Sequence, residues 1–289
     1  MQSSNPILND KYFRSAGAGA GGSVVDTTGT ERGWGQAPPP PAQYSTDAPT
    51  RTATMTMRGV ASATGVMLVF VFIGARFGWS KVATEYLGID RGTGDRVYSN
   101  TLPTGWLIGS MLVGFVLAMI CTFKPPMARI LGVPYALVEG VFLGILAHAY
   151  DAQSQGIAIQ AVVATGGVFL MMLALYGFRI LRVTPRLTKG IIAATFGVVA
   201  VYLVGWISSL FTDSGTSFMN SASPLGIGIS LIVVGIAAFN LLLDFDFIER
   251  GVQQGLPKEM EWFGAFGLIV TLVWLYLELL RLLSKLQRR

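Results

Sequence analysis

The chain has 289 residues, 52% of them hydrophobic and 13% charged, with a mean hydropathy of +0.56. Soluble domains carry about 25% charged residues, so this balance excludes an ordinary soluble fold and predicts an all-α polytopic membrane protein. The formal net charge is +5, but the basic residues lie in short clusters between apolar runs, as membrane topology arranges them, so nucleic acid is excluded as a partner.

Residues 1–55 form a separate block, where "GAGAGGS" and "APPPPA" bracket a stretch rich in Gly, Ser, Thr and Pro. Such a segment cannot bury enough apolar surface to offset its ordering entropy, and it is expected to be a disordered tail. Within it, Pro38–Pro41 should be locally polyproline II. The first apolar run begins near Val60, too late for a secretory h-region, so the first span is expected to serve as its own targeting signal.

Residues 56–289 then carry seven apolar segments at about 59–78, 103–123, 131–150, 156–178, 189–211, 224–246 and 262–283. Each is close to the roughly 20 residues that a helix needs to cross the hydrocarbon. The one long connection, "SKVATEYLGIDRGTGDRVYSN" between the first two spans, is expected to hold a surface turn or a small helix. No internal repeat is visible, which argues against an inverted-repeat transporter.

Orientation follows from Lys and Arg in the loops. Lys124, Arg129, Arg179, Arg182, Arg186, Lys189, Arg250 and Lys258 fall on one side, and Lys81, Arg91 and Arg96 on the other. Eight against three predicts a cytoplasmic N-terminus. Seven spans then place the C-terminus outside, and only the basic end "KLQRR" runs against this.

Three carboxylates stand out. Glu139, in "GVPYALVEGVFLGIL", lies near the middle of an apolar run, and Asp244 and Asp246 close span six in "NLLLDFDFIERG". An ionisable group inside a span is costly and usually faces the bundle interior. The bland alternatives are a protonated Glu139 that serves packing and a solvated helix end at Asp246. Glu139 lies roughly 12 Å along span three and Asp244 about 9 Å from the end of span six, at 1.5 Å per residue. If those helices touch, the two acids meet at similar depth, cannot both ionise cheaply, and would share a proton or a Ca²⁺ ion.

Other polar positions carry less. Glu278 and Arg281, one turn apart, are read as a pair near the outer interface, and Arg76 as a snorkelling side chain. His148 and Asp151 are read as polarity at a loop edge rather than a metal site. Cys121, the only cysteine, cannot form an intrachain disulfide or a structural zinc site and is read as a small buried apolar residue. No nucleophile elbow, HExxH or phosphate loop occurs, so neither an enzyme nor a bound cofactor is expected.

The stretches "PYALVEGVFLGI", "ALYGFRILRVTPRLTKG" and "LLLDFDFIERGVQQGLPKEMEWFGAFGLIVTLVWLYLELLRLL" resemble the Bax inhibitor-1 family, most closely its bacterial branch with a long polar tail. The resemblance covers about residues 55–285. It implies a seven-helix bundle in the bacterial plasma membrane and a passive, pH-controlled calcium leak. It also implies an acidic latch of one Asp closing span six and one in span seven. The first falls on Asp244, or on Asp246 if the gap is placed differently; the second falls near Val270 and Thr271, neither of them acidic. Glu139 is offered from the residues alone as a substitute partner. The leading expectation is therefore a pH-sensitive leak for calcium or other cations. The alternative is a scaffolding protein that binds a membrane protease or a translocation complex without ion flux.

Overall fold

A computed structural model of the chain describes residues 53–89, 96–209 and 223–287. The tail reading for residues 1–52, with its polyproline run, lies outside them. Among the described residues, seven helices are long and apolar enough to cross a membrane. They are α1 (Met57–Lys81), α2 (Thr104–Phe123), α3 (Ala128–Asp151), α4 (Ile157–Gly177), α5 (Pro185–Ser209), α6 (Pro224–Gln253) and α7 (Met260–Gln287). The expected seven-span bundle is what forms. A single 3₁₀ turn, Pro125–Met127, joins α2 to α3.

Three local differences from the sequence reading have physical causes. The connection after α1 is an antiparallel hairpin, β1 (Ala83–Ile89) on β2 (Arg96–Thr101), in register Ala83↔Thr101 to Ile89↔Arg96 with one irregularity near Tyr86. Its Thr, Tyr, Val and Ile content favours a pleated ladder over the surface turn or small helix expected. Next, α6 does not stop at Asp246 but continues to Gln253, where Arg250 pairs with Asp246 at 2.8 Å and Gln253 donates to Glu249 at 3.1 Å. These i,i+4 contacts hold the last two turns.

The third difference is the domain border, which falls before residue 55. Met55 is 1% exposed, and its N–H donates to the Leu256 carbonyl at 2.7 Å, while Lys258 N–H donates to the Ala53 carbonyl at 3.0 Å. Residues 53–55 thus belong to the helical unit.

The bundle is organised around α7, which packs on α6, α1, α4 and α3. Two-thirds of its most apolar stretch (67%) is buried, against 6% for α5. A helix that is apolar all round belongs inside, and α7 serves two cores with two faces. Ile269, Val273, Tyr276 and Leu280 meet α1, α3 and α4, whereas Leu268, Leu272, Leu275 and Leu279 meet α4 and α6. By contrast, α2 leans mainly on α3, and α5 mainly on α6.

The closest helix pair is α1 with α3. Gly74 and Gly78 on α1 face Gly140 and Gly144 on α3. A Cβ on Gly74 or Gly78 would fall on the Leu137 or Val141 carbonyl oxygen, and one on Gly140 or Gly144 on that of Val71 or Ala75. Within a bilayer, where apolar contact alone gives little preference between helix and lipid, such small-xxx-small crossings supply the packing.

Candidate functional site

Asp244 lies on α6, nine residues before the helix ends and so about 14 Å from that end. Its Oδ2 is buried with no hydrogen-bond partner among the described residues. The carboxyl group turns towards α7, where it is hydrogen-bonded by the Thr271 side chain and lies beside Gly267. A carboxyl oxygen held away from both water and donors must be met by a proton, a cation or an entering water, because its charge has no other compensation there.

The other two expected site residues are placed differently. Asp246 lies seven residues before the end of α6, about two turns at 3.6 residues each, and is paired with Arg250 at 2.8 Å. Glu139 is half-buried on α3, and its Oε2 points at Gly114 on α2. Helix α3 packs on α1, α2, α4 and α7, whereas α6 packs on α7, α4, α5 and α1. The pairing of Glu139 with Asp244 is therefore not formed, because each acid faces a different neighbouring helix. The calcium site that the two were expected to share is likewise not assembled, and no group of three His, Cys, Asp or Glu converges among the described residues.

Near the end of the bundle that carries Met55, Glu249 accepts a short hydrogen bond from the Tyr176 hydroxyl, which ties α4 to α6. At the same end, Glu261 accepts from the Thr56 N–H at 3.0 Å and from its hydroxyl at 2.8 Å. Thr56 is the N-cap of α1, so a buried carboxylate on α7 sits at the positive end of α1. No local signal in the sequence could have found this contact, since the partners are 205 residues apart.

The opposite end holds a buried charge cluster that the sequence reading placed near the outer interface. Glu278 is 1% exposed. It accepts from Arg281 at 2.9 and 3.0 Å, from the Tyr202 hydroxyl on α5 at 2.9 and 3.0 Å, and from Trp274 at 3.2 Å. One turn further on, Lys285 donates to the Ser230 hydroxyl at 2.7 Å and to the Gly226 carbonyl at 3.1 Å, both on α6. The i,i+3 spacing of Glu278 and Arg281 announced a pair but not its burial. The loop-edge residues at this end are also structural: Asp151 Oδ1 accepts from Gly156 N–H at 2.8 Å at the start of α4, and the His148 ring meets Trp79 edge-on at 4.7 Å. Cys121 is fully buried, as expected.

Six apolar helices around a buried seventh, with carboxyl groups held inside the bundle, define a polytopic α-helical membrane protein. The family model described as Bax inhibitor 1 like matches residues 5–288, nearly the whole chain, and the chain belongs to that family. No curated protein and no solved structure matches it.

Proposed function

We propose that the protein is a pH-sensitive cation leak channel of the bacterial plasma membrane, with calcium as the permeant ion and the N-terminus in the cytoplasm. The observation that carries this reading is Asp244, a carboxyl with one oxygen buried and unpartnered at the α6–α7 contact. By the family resemblance the first acid of a latch falls on Asp244, or on Asp246 if the gap is placed differently, and the second falls near Val270 and Thr271. A hydroxyl both donates and accepts, so Thr271 can bond either protonation state of Asp244. When Asp244 carries its proton, the contact is neutral and the helices stay closed. When it ionises, the buried charge requires a cation or water, which separates α6 from α7 and opens a path.

A second reading follows from the separation of the acids. Glu139 and Asp244 face different helices, as packing or protein-contact residues would, which favours a scaffold for another membrane protein. Calcium flux through the purified protein in liposomes distinguishes the two. A protein-dependent leak supports the channel, and empty-vesicle levels of flux under all conditions support the scaffold.

A further inference from the structure

Between α1 and α4 lies a cavity of about 780 Å³, floored by α3 and α7. That is within the roughly 300–1,000 Å³ of ordinary ligand sites. Its walls are apolar, with Leu68 and Phe72 on α1 and Val162 and Phe169 on α4. From Ala158 to Phe169 it follows about 16 Å of α4. One leaflet of the hydrocarbon core, half of about 30 Å, has nearly that depth.

The charged residues are confined to one end, where α1 and α3 finish and α4 begins. Arg76, Asp151, Trp79 and Tyr276 line the cavity there. Arg76 and Asp151 share this mouth without pairing with each other, and Arg76 takes no ion pair among the described residues. Asp151 is held in place by the Gly156 N–H bonded to its Oδ1. A fixed carboxylate beside an uncompensated guanidinium is the complement of a zwitterion. Guanidinium recognises phosphate through paired donors, and the carboxylate suits an ammonium group. Trp and Tyr are the residues that settle at headgroup depth.

We infer that this groove binds one zwitterionic glycerophospholipid of the phosphoethanolamine class. Its phosphate lies at Arg76, its amine at Asp151, and an acyl chain runs between α1 and α4. The site is separate from Asp244 and does not depend on ion flux.

The test uses the full chain reconstituted with equal parts of a phosphatidylethanolamine and a phosphatidylglycerol, then extracted into mild detergent for native mass spectrometry. The wild type should retain one phosphatidylethanolamine in preference to phosphatidylglycerol. Arg76→Gln should weaken that retention about tenfold, the loss of one charge-assisted contact. Val162→Trp, which fills the groove, should abolish it while leaving the melting temperature near that of wild type. If Val162→Trp does not fold, Ile159→Trp at the rim, where the side chain is 71% exposed, makes the same test. Equal retention of both lipids by wild type, unchanged retention in the variants, or no retained lipid in the wild type would each overturn the inference.

Discussion

Glu261 on α7 caps the first turn of α1 through both the N–H and the hydroxyl of Thr56, at 3.0 and 2.8 Å. The contact fastens the start of the first helix to the start of the last. A Cβ on Gly59 would collide with the same carboxylate, so a side chain there would displace Glu261 from Thr56.

Replacing Glu261 with Ala leaves the first donors of α1 short of a partner and should cost about 1–3 kcal/mol. Thermal unfolding in detergent reads this directly. Glu261→Gln keeps an acceptor but loses the charge and should fall between wild type and Glu261→Ala. A melting temperature unchanged in Glu261→Ala would show that the cap is not needed.

The same end defines how far the tail can be shortened. A chain beginning at Arg51 retains Met55 and its bond to Leu256 and should melt as the full chain does. A chain beginning at Met57 loses both the buried Met55 side chain and the Thr56 cap. It should be less stable by several kcal/mol, at roughly 2–5 for an emptied Met site and about 1 for a cap. Equal stability of the two would place the border where the sequence reading had it.

The α1–α3 crossing makes a second stability prediction. Gly144→Val places two methyl groups where the Ala75 carbonyl lies, and the neighbour is backbone that cannot rotate away. Overpacking of this kind costs about 1–3 kcal/mol or more. Gly166→Val on α4, where a Cβ meets nothing within 4 Å, is the control and should fold normally in the same thermal assay.

The Glu278 cluster should behave as a buried ion pair. Glu278→Gln leaves Arg281 without its carboxylate and should cost about 3–5 kcal/mol, whereas the double change Glu278→Leu with Arg281→Met should recover much of it. A double-mutant cycle on unfolding separates these outcomes. Additive losses would mean that the two charges do not depend on each other.

Much of this architecture was legible because the bilayer demands runs of about 20 apolar residues, and seven such runs cannot be hidden. The central place of α7 was readable in principle, since "GAFGLIVTLVWLYLELL" shows no polar face. Which helices touch was not readable. Glu139 and Asp244 lie at comparable depths, but depth does not give rotation about the helix axis, and one acid turned to α2 while the other turned to α7. Glu278 shows the same limit, because its partner helix, α5, enters through Tyr202, 76 residues away. Thr271 was noted only as a position lacking an acid, and its contact with Asp244 came from the packing of α6 on α7.

Membrane orientation has its own test. Reporters fused after Asp151 and after Asp213 should be active outside the cytoplasm, and one fused after Arg186 should be active inside. The reverse pattern would invert the bundle and place Asp244 on the outer side.

The central claim is that the protonation state of Asp244 sets the leak, and the most direct measurement is calcium flux in proteoliposomes between about pH 6 and pH 8. In the wild type, ionisation opens the α6–α7 contact, so flux should rise with pH. Asp244→Asn fixes a neutral group at that position and should give low flux with a flat profile. Glu139→Gln, on a different helix contact, should leave the slope intact. A pH response in Asp244→Asn equal to that of the wild type would contradict the account.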